Sequence, residues 1–533
     1  MATKNEMKSK PKSAKLNHVV FWPPFLLLLG AVVLNFVAKD QFELITETAN
    51  DWVLTNFGWL FTTVAFLAVL LCIYICFSPM SKVRLGGPDA KPLMHMWNWF
   101  AITVCTTIAV GILLWATAEP IYHLTGPPGS KGIEANSPAA ASFAMSTMYL
   151  HWTFTPYAIY AVASLMFAFA YYNMKKPYSL GSPLTPVLGD RVTGTVGNLI
   201  DAVCLYSLVA GMAASLGGGI LILGGGLNHM IPAIDGKSTW VWAAIAAVII
   251  VTFVVSSATG LMKGIRILSS INTYALFGLA IFVFIFGPTI FILNFGLESF
   301  GTYFTHFVEM NLFTDSLTGA GDDSAEKPWT HAWTTFYWAV WLAWTPITAC
   351  FLGQIAYGRT VREFMLVNFI LPAMFGACWM AIFSGTALHL EMFADANFVE
   401  IINDKEMGTE QVAYSLFNYL PMSGLLAVFY IASTFICFVT SADSNTTAMA
   451  AISSSGITPE NSEGGLAIKI AWGVTVGLVA WVMISFADIN GIKIISTLGG
   501  FPAAILVLLV IVSLFKVATN VEKYDTFSSS SND

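Results

Sequence analysis

Twelve apolar blocks of about 20 residues, separated by short polar connections, decide what this chain can become. They run over 17–38, 56–78, 96–118, 142–173, 198–230, 239–257, 272–296, 332–357, 364–389, 412–444, 466–486 and 494–516. At 1.5 Å per residue, a helix of about 20 residues crosses a hydrocarbon core roughly 30 Å thick. Few polar residues interrupt the blocks, so the apolar-out, polar-in alternation of a barrel strand is missing. The reading is an all-α polytopic membrane protein with twelve transmembrane helices. Only 10% of residues are charged, against about 25% in soluble domains, and the mean hydropathy is +0.71. The first block is long, follows a polar tail and lacks a small-residue cleavage site, so it is not read as a signal peptide.

Lys and Arg set the orientation. The tail holds Lys4, Lys8, Lys10, Lys12 and Lys15, and every second connection after it is basic, which places 18 of the 24 basic residues on one side. The other side keeps Lys39, Lys131, Lys237, Lys327, Lys405 and Lys493, and is acidic around Asp315–Glu326 and Asp395–Glu410. Both termini are therefore expected in the cytoplasm, with the chain in the cytoplasmic (inner) membrane. The formal charge of −7 says little about partners, since its sources face opposite compartments, and no nucleic-acid partner is expected. The five tail lysines are placed to touch anionic lipid, at about 1 kcal/mol each near the surface. The ending after 517 is short and Ser-rich and is expected to be disordered.

All seven cysteines fall inside predicted spans and read as small packing residues. Several blocks carry breakers: Pro156 in 142–173, Pro346 in 332–357, Gly111 with Glu119-Pro120 around 96–118, and six glycines between Leu216 and Gly226. Interrupted spans point to a secondary transporter's midplane site, while glycines also permit close helix packing. For the Leu216–Gly226 run, packing and hinge carry equal weight. Segment 297–312 mixes aromatics with Glu298, His306 and Glu309, the pattern of a helix lying along the outer surface.

Ionisable residues inside spans are few: Glu119, Asp201 and Asp443, with His151 and His229 nearer to ends. There is no Walker A motif, dinucleotide fingerprint or HExxH, so no enzyme, catalytic residue or organic cofactor is expected. Instead the chain concentrates aromatic surface. WTTFYWAVWLAWTP (333–346) holds four tryptophans, of which Trp338, Trp341 and Trp344 recur on one helix side. HWTFTPYAIY (151–160) supplies Trp152, Tyr157 and Tyr160. Trp333, Tyr337, Trp97 and Trp99 suit an interfacial belt, whereas Trp341 and Trp344 lie too deep for one. A quaternary ammonium or sulfonium forms no conventional hydrogen bond, and its diffuse charge is held by aromatic faces at roughly 0.5–2 kcal/mol per contact. An uncharged cage also avoids burying a carboxylate in the empty site.

At these residues, together with GRTVREF (358–364), AEP (118–120) and FVTSADS (438–444), the chain resembles the betaine/carnitine/choline transporter (BCCT) family over nearly its whole length. The resemblance implies a leucine-transporter type of fold, two inverted five-helix repeats preceded by two extra helices, in a homotrimer. It divides the chain into a tail (1–16), a transporter domain (17–516, with extra helices at 17–95 and repeats at 96–313 and 328–516) and a second tail (517–533). It implies a substrate box of Trp152, Tyr157, Tyr160 and Trp341, with Trp344 touching substrate during transport.

The chain departs from the family pattern twice. Val340-Trp341 stands where consecutive tryptophans are usual, and Thr107-Ile108-Ala109-Val110-Gly111 replaces a glycine-rich stretch. Choline-type members place an Asp in that stretch, and none is present. The expected cargo is therefore a zwitterion of the glycine betaine or dimethylsulfoniopropionate type.

The resemblance further implies a sodium site of Thr440 and Ser441 hydroxyls, with carbonyls of Cys105, Ile108 and Cys437. Hard oxygen ligands suit an alkali cation, although such hydroxyls commonly bond back to their own helix. Sodium symport stands ahead of proton-coupled choline or betaine uptake and of cation-independent carnitine-type exchange. Asp443 is open to either an anchoring or a proton-carrying role. With only Lys516 and Lys523 at the C-terminal end, strong osmotic activation through it is not expected.

Overall fold

The computed structural model describes residues 15–107, 111–259, 262–318, 327–404, 406–455 and 464–528, without the side chains of 105–106, 256–259, 262–271 and 273. Each of the twelve apolar blocks contains helix: α1 His18–Val37, α2 Lys39–Phe77, α3 Met96–Thr107, α4 Gly111–Thr125, α5 Pro138–Trp152, α6 Phe154–Tyr172, α7 Thr195–Met230, α8 Thr239–Thr259, α9 Met262–Phe286, α10 Thr289–Thr305, α11 Thr334–Ile355, α12 Val361–Phe393, α13 Ser423–Ile452, α14 Leu466–Ala487 and α15 Ile489–Thr519, the tenth block opening with a separate short helix, Val412–Phe417, and a turn before α13. Among the described residues, nine helices are long and apolar enough to cross a membrane, or ten if one bent pair forms a single span. The three remaining blocks are interrupted or short. The third is α3 and α4, of 12 and 15 residues. The sixth is the shorter apolar helix Thr239–Val255. The seventh turns by 105° between Tyr274–Phe286 and Thr289–Thr305.

That turn falls at Gly287-Pro288, so the block expected to reach 296 stops at Phe286. Pro288 disfavours helix at the residue before it, and α10 then leaves Leu297 and Phe304 exposed, in keeping with a surface helix. A second break separates α5 from α6 at Thr153 (φ −121°, ψ −117°). Pro156 has no N–H for the Trp152 carbonyl, the partner a continuous helix would use. Gly376 of α12 packs onto that carbonyl, where a Cβ would lie 2.4 Å from the oxygen.

Two expected interruptions are absent. Pro346 lies inside α11, which continues through it. Thr345 and Thr348 hydroxyls on either side of it bond back to the Trp341 and Trp344 carbonyls of their own helix at 3.0 and 3.3 Å. The glycine run lies in an unbroken α7. Its glycines are contact points: a Cβ on Gly219 would meet the Phe438 ring, and one on Gly226 the Tyr414 hydroxyl. The packing role of the run is thus visible in the structure.

The core sits where α15 packs on α7 and α11, and α11 on α6. GRTVREF forms a polar corner: Thr360 and Glu363 make a capping box, and Arg359 lies 5.0 Å over Trp99 and donates to the Met94 carbonyl. Trp99 is fully buried, so it is no belt residue, whereas Trp97 is exposed. The C-terminal end to 528 is docked rather than disordered. Asn173 Nδ2 donates to Arg84 O and Asp525 Oδ1, each at 3.1 Å, and Thr526 bonds to Asn173 O. Lys175 lies 4.4 Å over the Phe527 ring. At the other end, Lys15–Leu16 pairs antiparallel with Ser454–Ser455.

Candidate functional site

Helices α5, α6 and α11 bring the predicted aromatics together. Trp341 is the centre, with ring centroids 4.9 Å from Tyr160, 5.6 Å from Tyr157 and 5.9 Å from Trp152. The Thr153 break lets Trp152 and the tyrosines, from two helices, approach the same face of α11. Trp152, Tyr160, Trp341 and Trp344 wall a cavity of about 60 Å³ with Trp115, Phe336, Val340 and Ile492. Tyr157 packs behind Trp341 without lining it. Among the described residues the lining contains no charged side chain, and this uncharged aromatic wall suits an onium group.

Sequence reasoning named Glu119 only as an ionisable residue in a span. The structure makes it the node that orients the box. Its carboxylate is fully buried and each oxygen takes two bonds. Oε1 faces His151 Nδ1 at 2.6 Å and His123 Nε2 at 3.1 Å. Oε2 accepts from the Trp152 indole at 2.9 Å and the Tyr337 hydroxyl at 2.5 Å. An ionised carboxylate only accepts, so both imidazoles donate, and its four lone-pair sites are filled. His151 then accepts at Nε2 from Thr334, 3.1 Å away. Four donors offset the burial of this charge. Glu119, His123 and His151 also stand close enough to hold a metal ion, but the carboxylate oxygen and ring nitrogens that would ligate it already bond one another.

Trp333 and Tyr337 are buried, which corrects their assignment to an interfacial belt. Tyr337 stacks on His151 at 4.4 Å, and Trp333 lies beneath the Lys493 ammonium at 4.0 Å. Lys493, read as part of an outer connection, belongs to α15. The missed residues Trp115 and His123 had one usable signal: with Glu119 they recur every four residues, on one face of α4.

The residues expected at a sodium site are placed in part. Thr440 Oγ1 donates to Ile436 O at 2.9 Å and Cys437 O at 3.0 Å. Ser441 Oγ accepts from Asn445 Nδ2 at 2.9 Å. Cys105 is in the last turn of α3 without a described side chain, and Ile108 lies outside the described residues. Asp443 is buried, 3.9 Å from Lys469 of α14. Asp201 and His229 lie on α7 and neither lines the cavity.

Comparison with known proteins agrees with this architecture. The description betaine/carnitine/choline family transporter (BCCT) matches residues 19–523. The chain is 30% identical to the glycine betaine transporter OpuD of Bacillus subtilis over 508 residues, covering 94% of each chain. It is 29% identical to the ectoine/hydroxyectoine transporter of Virgibacillus pantothenticus, covering 95% of this chain and 98% of that one. It is also 29% identical to the high-affinity choline transport protein of Escherichia coli K12, covering 96% and 73%. A match over nearly the whole chain, with relatives that are transporters rather than enzymes, places this multi-pass membrane protein in the betaine/carnitine/choline transporter family.

Proposed function

We propose that this protein is a secondary symporter that imports a quaternary ammonium or sulfonium zwitterion, of the glycine betaine or dimethylsulfoniopropionate type, coupled to sodium by alternating access. The observation that carries the reading is the box of Trp152, Tyr157 and Tyr160 around Trp341 beside an uncharged cavity. Relatives named for glycine betaine, ectoine and choline transport support the same substrate class. The proposed architecture is twelve spans in two inverted five-helix repeats after two extra helices. Both termini are cytoplasmic, and the assembly is a homotrimer in the cytoplasmic membrane. Thr440, Ser441 and the Cys437 carbonyl, with Cys105 and Ile108 carbonyls, form the sodium site. The Thr440 hydroxyl spends its proton on its own helix and keeps oxygen lone pairs for a cation.

A second reading, proton coupling, has one observation in its favour: the buried Glu119–His123–His151 group beside the box. Proteoliposome uptake driven by a sodium gradient at equal pH, or by a pH gradient without sodium, separates the two. The panel is glycine betaine, dimethylsulfoniopropionate, choline, carnitine and ectoine. Sodium-driven accumulation of a zwitterion, weakened in its sodium dependence by Thr440→Ala with Ser441→Ala, is the expected result. Accumulation driven by the pH gradient alone overturns the sodium assignment, and full counterflow without uphill uptake makes the protein an exchanger.

A further inference from the structure

The cavity has an aromatic wall for an onium group but no charge for the other end of a zwitterion. Its lining residues are apolar or aromatic apart from Ser215. An ammonium nevertheless stands beside it. Lys493, the fifth residue of α15, holds its Nζ 4.0 Å from the Trp333 ring, 5.7 Å from Phe336 and 5.9 Å from Trp115. Phe336, Trp115 and the neighbouring Ile492 also wall the cavity.

The carboxylate of Glu119 acts on this cation only from beyond ion-pair distance. Among the described residues, no carboxylate lies within ion-pair distance of its Nζ, and no acceptor takes a hydrogen bond from it. The buried carboxylate of α4, Glu119, has both oxygens filled by His123, His151, Trp152 and Tyr337. Lys493 also sits near the positive end of α15, where a helix dipole disfavours a cation. Three rings hold it by cation–π attraction, and no acceptor among the described residues uses its ammonium donors.

We propose that Lys493 forms a carboxylate subsite for the substrate: the onium head rests on the Trp341 side of the cavity, and the anionic end pairs with the ammonium near Trp115 and Phe336. This rests on the zwitterion reading above. The same charge repels a cation that lacks a carboxylate, so Lys493 selects zwitterions over simple onium ions.

The test is binding to purified full-length protein, followed by tryptophan fluorescence. The ligands are glycine betaine and its methyl ester, which keeps the onium head and loses the negative charge. Wild type is expected to favour the zwitterion, and Lys493→Met to weaken zwitterion binding by about 30-fold or more while the ester changes little. Lys493→Arg is expected to preserve the preference. Equal losses for both ligands in Lys493→Met, or unchanged zwitterion affinity, overturn the subsite. If Lys493→Met does not fold, wild type still decides: an ester bound as tightly as the zwitterion refutes it. Wild-type protein that binds neither compound refutes the substrate class instead.

Discussion

The indole N–H of Trp152 donates to Oε2 of Glu119 at 2.9 Å. One wall of the aromatic box is thereby fixed by a carboxylate on another helix, and Tyr337 shares the same oxygen. The box is uncharged where a substrate would touch it and charged immediately behind.

This arrangement makes Glu119 substitutions graded. In Glu119→Gln the amide oxygen still serves Trp152 and Tyr337, and His151 adapts by switching tautomer. Uptake is expected to fall only several-fold, on the order of 1 kcal/mol. Glu119→Leu strands four buried donors and is expected to cost about 3 kcal/mol or more. Thermal unfolding in detergent beside initial uptake rates gives the order; equal effects of the two variants would remove the carboxylate from its proposed positioning role.

Removing the central ring tests the box itself. Trp341→Ala and Trp152→Ala are expected to abolish uptake at low substrate while membrane expression stays intact. Each lost cation–π contact weakens binding by roughly 0.5–2 kcal/mol, and Trp341→Phe, which keeps a ring face, is expected to fall between. Binding to purified variants is the measurement, and wild-type affinity in both alanine variants would make these rings structural only.

Gly376 supports the box from behind. A methyl group there would lie 2.4 Å from the Trp152 carbonyl oxygen, and backbone gives way less readily than the end of a side chain. Gly376→Ala is expected to destabilise the protein by about 1–3 kcal/mol and to lower substrate affinity by moving Trp152. By contrast Gly30→Ala, where a Cβ meets nothing within 4 Å, is expected to leave affinity unchanged.

A pH effect is expected at the C-terminal end of α7, where Glu410 is buried against Gly225. Burial, with repulsion from Asp488, pushes its carboxyl up to about 8 from an ordinary value of 4.5. The folded state therefore binds this proton more tightly than the unfolded chain. The resulting stabilisation is complete below about pH 4.5, declines as pH rises, and is gone above about pH 8. Unfolding temperatures are expected to fall between pH 5 and 8 more steeply in wild type than in Glu410→Gln; parallel curves would place the pH sensitivity elsewhere.

Much of the site was legible in the chain because its chemistry is carried by residue type. Trp152, Tyr160, Trp341 and Trp344 are large rings at helical spacing in apolar blocks, and no other use explains so many. Glu119 was legible as an anomaly, a carboxylate in a span, but its partners were not. His151 and Trp152 follow it by 32 and 33 residues and Tyr337 by 218, separations on which local spacing is silent. Tyr337 and Trp333 misled for a related reason: an aromatic near a block's end reads as interfacial until a neighbouring helix covers it. The tail beyond 517 read as disordered because its composition is polar and Ser-rich, yet Asn173 and Lys175 supply the partners that hold it as far as 528.

The sequence by itself determined that the chain is helical, lies in a membrane and concentrates aromatic rather than charged surface in its spans, since those properties follow from apolar length and side-chain type. Only the tertiary structure decided which rings meet at Trp341, that Glu119 clamps Trp152, and that Lys493 stands beside the cavity with no ion pair among the described residues. The physical reason is that helix packing sets which faces oppose one another. Hydrogen bonds and ring contacts act over only a few ångströms, so they exist only once that packing is in place.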